Sequence, residues 1–238
     1  MNCTLYIKAA AAEIFPLIKK GEIIMNMVSN SKSSLQAREG KLFSVRTLTV
    51  VAMLSAVATV LMLFEIPLWF APFFYELDFS EVPVLVGAFA LGPLAGVLIE
   101  FVKVLINLLV NGTITMGVGE FANFLIGCSL VVPAAMIYHR KKSYKTALKG
   151  LIAGTVSMTV IGSILNAVLL LPVFAFFMNT SMADLIGIGT GVNPAITNLS
   201  TFILLAVAPF NLLKGVVVSA ITMLLYKQIS IIIKSFTR

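Results

Sequence analysis

Long uncharged apolar runs separated by short polar segments are the dominant pattern along this chain. The runs occupy residues 47–64, 82–99, 121–138, 150–183 and 185–213, and a last apolar stretch continues to residue 226. An α-helix rises about 1.5 Å per residue, so about 20 apolar residues cross the ~30 Å hydrocarbon layer of a bilayer. The pattern therefore predicts a bundle of membrane-spanning helices.

Four of the predicted spans follow directly from the lengths of the runs. They lie near residues 46–65, 120–139, 148–174 and 200–226. Between residues 180 and 198, three glycines and the pair Asn193-Pro194 argue against a continuous helix. We expect an external loop there, partly helical.

The region 81–111 could form one long helix or two short ones that turn at Gly92-Pro93. If this region crosses the membrane twice, 15 of the 17 basic residues lie on the same side of the membrane. Because basic residues are enriched in cytoplasmic loops, that side is predicted to be the cytoplasm. The acidic residues of the remaining segments then all lie outside: Glu65, Glu76, Asp78, Glu81, Glu120 and Asp184. This charge distribution predicts six transmembrane helices, both termini in the cytoplasm, and a short second helix near 81–91 that protein must shield.

Composition agrees with an all-α integral membrane protein. Hydrophobic residues make up 59% of the chain and charged residues 11%, whereas soluble domains average roughly 25% charged residues. We expect a polar, basic cytoplasmic extension over 1–43, a six-helix domain over 44–228 and a cytoplasmic tail over 229–238. The predicted location is the bacterial cytoplasmic membrane. The net charge of +7 is interpreted as a topology signal and not as a nucleic-acid surface.

Two lysines lie within the predicted spans, where a charge costs about 2.5–3.5 kcal/mol on insertion scales. Lys103 follows Glu100 by three residues on one helix face, so we expect a structural ion pair. Lys214 has no acidic neighbour in the sequence, and Asn211 precedes it on the same face. With Asn166 of the preceding span, these side chains could bind a polar planar ligand. The alternative is hydrogen bonding between the helices.

The first external loop is rich in aromatic residues. Trp69, Phe73, Phe74 and Tyr75 could form an interfacial belt or a lid over a bound ring, and composition does not separate the two. Glu120 follows a glycine-rich segment and opens a helix, where it could complement the helix dipole or accept hydrogen bonds from ligand hydroxyls.

Motifs for catalysis are not found. The sequence has no phosphate-binding GxxxxGK[ST] loop, no serine elbow, no paired histidines and no acidic metal cluster. We therefore expect a transport subunit without catalytic cofactor, metal or ATPase motif, energised by partner proteins.

Three segments together resemble a known family. Residues 77–109, 119–127 (GEFANFLIG) and 209–215 (PFNLLKG) are similar to the riboflavin-specific substrate-binding subunits, RibU type, of energy-coupling factor (ECF) transporters. The similarity extends from about residue 44 to 228. The long segment 177–198 departs from the family pattern.

The resemblance implies a six-helix fold with a riboflavin pocket open to the outside, and partnership with a transmembrane T-component and two cytoplasmic ATPases. It implies that Asn166, Asn211 and Lys214 hold the isoalloxazine ring and that the first external loop covers it. The segment at Gly119 and Glu120 is expected near the ribityl chain. The resemblance also assigns an A-x-x-x-A pair to contact with the T-component, here Ala52 and Ala56.

The leading hypothesis is therefore a high-affinity riboflavin-capturing subunit. Pantothenate, biotin or thiamine remain alternative vitamins; the carboxylates of the first two suit Lys214, whereas cationic thiamine does not. An intramembrane enzyme and a structural scaffold are more distant alternatives.

Overall fold

The computed structural model describes residues 44–226 except residues 70, 73, 74 and 114. The predicted extension over 1–43 and the tail over 229–238 lie outside the described residues. The helices of the described chain are α1 Val45–Met62, α2 Glu81–Leu91, α3 Pro93–Asn111, α4 Val118–Arg140, α5 Tyr144–Phe177, α6 Met182–Val192 and α7 Leu199–Leu224. Residues 44–48 begin α1, where the Ser44 hydroxyl accepts the Thr47 N–H at 3.3 Å.

Five of these helices are long and apolar enough to cross a membrane: α1, α3, α4, α5 and α7. Four of them, α1, α4, α5 and α7, overlap the uncharged runs of the sequence, because a spanning helix needs an apolar surface toward lipid. Helix α3 extends beyond the run 82–99 and contains Glu100 and Lys103. Two further apolar helices, α2 and α6, have 11 residues each. The segment between 180 and 198, expected to be a partly helical loop, contains α6.

The predicted break at Gly92-Pro93 is present. Helix α2 ends at Leu91, and α3 begins at Pro93. Gly92 has a φ of 117°, which residues with a Cβ rarely adopt, and proline at the first helical position loses no intrahelical hydrogen bond. The backbone preferences of Gly92 and Pro93 therefore end α2 and begin α3 at this point.

Helix α2 is the most enclosed helix of the bundle. Nine of its 11 residues are buried, and it packs against α3, α4 and α7. This enclosure provides the protein shielding that the sequence predicted for so short a helix, because neighbouring helices replace lipid around its ends.

Helices α4 and α5 approach each other closely. A Cβ at Gly150 or Gly154 would collide with the backbone carbonyls of Ala134 and Leu130. Small residues at these positions allow backbone contact, which drives helix association in lipid through dispersion forces. The α4–α5 pair is therefore a rigid wall beside the cavity described below.

Two π-helical turns interrupt α5 and α7, at Asn166–Leu170 and Ile203–Val207. Each precedes a proline, Pro172 or Pro209, which cannot donate a hydrogen bond to the preceding turn. The Leu171 N–H donates to the Asn166 carbonyl five residues back, and Ala208 donates likewise to Ile203. The two π-helical turns contact each other.

A short β-hairpin follows α1. Strands β1 Ile66–Pro67 and β2 Glu76–Leu77 are antiparallel, with Ile66 opposite Leu77 and Pro67 opposite Glu76. The loop ends in Tyr75, which packs with Leu185 of α6 and with Phe202 and Phe210 of α7 in one apolar cluster. This cluster fixes the hairpin region over the ends of α5 and α7.

Candidate ligand-binding cavity

A cavity of about 210 Å³ lies between the hairpin, α1, α4, α5 and α7. Its apolar lining includes Met62, Ile126, Met158, Leu170 and Phe210. The polar lining includes Glu65, Tyr75, Glu76, Asp78, Asn123, Asn166, Asn211 and Lys214. Polar and charged side chains thus outnumber apolar ones in this lining. Convergent polar groups of this kind fix the orientation of a ligand in a small-molecule site.

Asn166 begins the π-turn of α5 and is 3% exposed. Its amide nitrogen donates to the Gly162 carbonyl at 2.8 Å, and its oxygen accepts the Tyr75 hydroxyl at 2.6 Å. The second bond joins residues 91 apart in the chain. Asn166 therefore connects the loop between α1 and α2 to the bundle and holds the Tyr75 ring at the cavity.

Asn211 lies beside the same turn of α5. Its amide nitrogen donates to the Val207 carbonyl at 3.1 Å, and the side chain is 3% exposed. A Cβ on Gly162 would come within 2.9 Å of that nitrogen, so the absence of a side chain there lets Asn211 approach α5. The two asparagines predicted to act together thus lie around one residue, Gly162.

Lys214 is paired, contrary to the expectation from its sequence neighbours. Its ammonium group donates to Asp78 Oδ2 at 2.7 Å, and Asp78 Oδ1 accepts the Ser80 N–H at 2.8 Å. Asp78 lies 136 residues earlier, in the loop between α1 and α2, so sequence proximity could not reveal it. Burial alone would raise the pKa of Asp78, but the Lys214 and Lys103 ammonium groups hold it well below its usual range.

Lys103 lies outside the cavity lining and is fully buried. The predicted pair with Glu100 is confirmed at 2.8 Å, and Glu81 makes a second contact at 2.9 Å. The ammonium group also donates to the Ser80 hydroxyl at 3.1 Å. Glu81, predicted on the outer side of the membrane, is buried in the first turn of α2, where Lys103 of α3 compensates its charge.

The predicted lid residues do not share one environment. Tyr75 lines the cavity and packs against Phe210, with ring centroids 5.2 Å apart. Trp69 is 91% exposed and does not line it. Phe73 and Phe74 lie outside the described residues. The lid therefore stays a prediction, with Tyr75 as its member at the cavity, while the exposure of Trp69 suits an interfacial position.

Gly119 and Glu120, at the start of α4, also differ. Gly119 lines the cavity, and its N–H donates to the Thr115 hydroxyl at 2.9 Å. Glu120 is not among the lining residues that the structure describes, and its carboxylate accepts the Thr113 hydroxyl at 3.0 Å. The Thr113–Glu120 hydrogen bond closes the loop between α3 and α4 beside the cavity.

Sequence reasoning missed several lining residues. Asn123 lies one turn after Gly119 in α4, and its position inside an apolar run was an available signal. Glu65 and Glu76 flank the two ends of the aromatic loop. Burial, followed by contact with the Glu76 carboxyl group, raises the pKa of Glu65 to about 7. These acids in a short loop carried no signal that they face a cavity.

Ala52 and Ala56 lie one turn apart on α1, and both are exposed on the described surface. They leave a shallow strip between larger exposed side chains, including Met53, Val57 and Val60. This strip is available to lipid or to another membrane helix.

Comparison with known proteins identifies the class of this fold and cavity. The family model "ECF transporter, substrate-specific component" matches residues 46–226. The chain belongs to this family and is a multi-pass protein of the cell membrane. The resemblance of the sequence to ECF substrate-binding subunits is thereby confirmed.

Individual relatives agree with this assignment. The chain is similar to the riboflavin transporter RibU of Staphylococcus aureus (strain TCH60), with 38% identity covering 86% of this chain and 98% of that protein. It is 34% identical to the riboflavin transporter FmnP of Bacillus subtilis (strain 168), covering 76% and 90%. A solved structure of the S component of a bacterial ECF transporter matches with a TM-score of 0.60 and 37% identity, covering 77% and 94%.

Proposed function

We propose that this chain is the riboflavin-binding subunit of an ATP-driven ECF importer and that the cavity holds the isoalloxazine ring. The observation that carries the proposal is the convergence of Asn166, Asn211 and Lys214 on one buried cavity beside the Tyr75 and Phe210 rings. The names of the relatives, which are riboflavin transporters, support the choice of ligand.

Hydrogen bonding to the ring follows from the chemistry of these groups. The uracil-like edge of the isoalloxazine presents carbonyl acceptors on either side of an N–H donor. An amide offers both a donor and an acceptor, and the lysine ammonium offers three donors, of which Asp78 takes one. Asn166, Asn211 and Lys214 can therefore match the alternating edge of the ring.

Asp78 makes Lys214 suitable for an uncharged ligand. The ion pair has no net charge, so a neutral ring edge can bind without burying an uncompensated ammonium group. A carboxylate ligand, such as pantothenate or biotin, would have to compete with Asp78 for the same ammonium. The ion pair therefore favours riboflavin over the anionic alternatives.

Entry of the ring requires movement of the first external loop. Pockets for ligands of this size usually measure about 300–1,000 Å³, whereas the cavity measures about 210 Å³. Outward displacement of the loop around Tyr75 would open the cavity, and its return would bury the ring between aromatic faces. Nanomolar capture needs about −12 kcal/mol, which a closed pocket of this kind can supply.

The remaining predictions complete the proposal. Helices α1–α5 and α7 form six membrane segments with both termini in the cytoplasm, and α6 lies on the external side with the mouth of the cavity. The Ala52–Ala56 strip contacts the T-component, and two cytoplasmic ATPases supply the energy. Gly119 and Glu120 lie near the ribityl chain, and residues 1–43 and 229–238 are cytoplasmic. The chain itself captures and releases the vitamin without catalysing a reaction.

Purification from cells grown with riboflavin tests the proposal. We expect a yellow protein with about one flavin per chain and quenched flavin fluorescence. Asn211→Ala should lose the flavin, whereas the control Leu212→Ala, on the exposed side of the same turn, should keep it. A monodisperse, colourless wild-type protein that does not quench added riboflavin would contradict the proposed ligand.

A further inference from the structure

The hairpin presents three carboxyl groups to the cavity. Pro67 lies opposite Glu76, so continuing this register places Glu65 opposite Asp78. Alternate side chains of a strand project to the same face, and diagonal neighbours across a hairpin lie within reach of long side chains. Glu65, Glu76 and Asp78 therefore share one face, and all three line the cavity.

These carboxyl groups follow a gradient of burial. Asp78 is buried against Lys214, Glu76 is half-buried, and Glu65 is exposed. The charged lining residues of the described chain are these three acids and Lys214. Because Asp78 and Lys214 neutralise each other, two carboxyl groups remain at the outer end of the cavity without a cation in the lining.

Glu65 and Glu76 differ from the inner polar groups in the part of a ligand that they can bind. Asn166, Asn211 and Lys214 form the inner end, which under the proposed function takes the ring edge. The polyol chain of the flavin then extends toward Glu65 and Glu76. A hydroxyl can donate to a carboxylate, whereas a phosphate at the chain end carries about −1.5 to −2 charges near pH 7.

We propose that Glu65 and Glu76 are specificity-determining residues that exclude anionic, phosphorylated flavins and admit uncharged riboflavin. This inference rests on the proposed function and names the substrate class of the same site. Like charges facing each other at a binding interface disfavour the wrong partner, and the effect weakens with salt. The pair thus acts by repulsion, while the inner residues act by attraction.

Protonation provides a second signature. The pKa of Glu65 is raised to about 7 by partial burial of its carboxyl group at the cavity and by Glu76 and Asp78, while Lys214 opposes the shift. Below pH 7 the Glu65 carboxyl group gains a proton, and the outer pair loses one negative charge. Discrimination against the phosphate ester should therefore increase between pH 6 and 8.

The test measures dissociation constants of riboflavin and riboflavin 5′-phosphate for the full chain in detergent, from quenching of flavin fluorescence. In the double variant E65Q/E76Q we expect at least about tenfold tighter binding of the phosphate ester, with riboflavin within about twofold of wild type. The control Asp184→Asn removes an exposed carboxylate of α6 outside the cavity and should change neither constant. The increase of discrimination with pH should be smaller in the double variant than in wild type.

Wild-type protein gives a measurement that needs no variant. Rising ionic strength should tighten binding of the phosphate ester while leaving riboflavin unchanged, because salt screens the repulsion. Unchanged binding of the ester in E65Q/E76Q, or an equal loss of both ligands in that variant, would overturn the inference, while riboflavin binding by the wild type would still support the proposed function. Failure of the wild type to bind riboflavin would instead contradict the proposed function, and the inference with it.

Discussion

Two buried lysines of the described bundle, Lys103 and Lys214, have different surroundings. Lys103 is fully enclosed and contacts two carboxylates, Glu81 and Glu100. Lys214 contacts one carboxylate, Asp78, and lines the cavity. A buried charge with a complete set of partners stabilises a packing arrangement, whereas one that faces a cavity retains donors for a ligand. From this difference we infer a structural role for Lys103 and propose a role in ligand recognition for Lys214.

The two lysines are nevertheless joined by hydrogen bonds. Lys103 donates to the Ser80 hydroxyl, and the Ser80 N–H donates to Asp78, which accepts from Lys214. The segment 78–81 therefore carries partners of both lysines. Through residues 78–81, Lys103 helps to position Asp78, which is the counter-ion of Lys214.

The largest effect is expected for Lys103→Met. Removing the ammonium leaves Glu81 and Glu100 buried without a cation, and breaking a buried ion pair costs about 3–5 kcal/mol. Thermal unfolding of the purified chain in detergent measures the loss. Lys214→Met should cost less than half as much, because the cavity admits water to Asp78. Equal destabilisation by the two variants would remove the distinction between the lysines.

Asp78→Asn sharpens the comparison at the cavity. The amide keeps the shape of the carboxylate but leaves the Lys214 ammonium without its negative partner. We expect riboflavin affinity to fall by about tenfold, since hydrogen bonds to charged groups contribute about 1.5–3 kcal/mol. Titration of flavin fluorescence checks this, with Asp184→Asn as the control. Unaltered affinity would show that the ion pair does not position Lys214.

Tyr75→Phe tests the connection between the loop and the bundle. The ring contact with Phe210 remains, while the hydrogen bond to Asn166 is lost. A net hydrogen bond contributes about 0.5–1.5 kcal/mol, which corresponds to roughly a two- to tenfold weaker affinity for riboflavin. Faster release in stopped-flow fluorescence should accompany it. A variant with wild-type release would mean that the bond does not hold the loop closed.

The smallest effect is expected for Glu120→Gln. Its carboxylate already accepts from Thr113 and is not among the lining residues described. Riboflavin affinity should change by less than about threefold, within the range of an exposed hydrogen bond. A loss comparable with that of Asp78→Asn would place Glu120 in direct contact with the ligand.

Local patterns in the sequence were enough to predict much of this molecule. Helices α1, α4, α5 and α7 follow from long apolar runs. The break at Gly92-Pro93 follows from two residues with restricted or unusual backbone geometry. The contact of Lys103 with Glu100 follows from helix periodicity. Asn166 and Lys214 were identified because polar groups are costly inside apolar spans.

Contacts between distant segments could not be predicted in the same way. The bond of Lys214 to Asp78 depends on how the loop between α1 and α2 packs against α7, and nothing in the sequence near either residue indicates the other. The ion pair of Glu81 with Lys103 was likewise not predicted, because the two residues lie on different helices, α2 and α3. The orientation of Glu65 and Glu76 depends on the register of a two-residue hairpin, which is too short to leave a periodic signal.

The most direct test of the central claim is the flavin content of Lys214→Met, purified beside wild type from cells supplied with riboflavin. We predict about one flavin per chain in wild type, and at least tenfold weaker binding in a Lys214→Met protein that remains folded and monodisperse. Wild-type flavin content and affinity in Lys214→Met would contradict the assignment of Lys214 to ligand recognition.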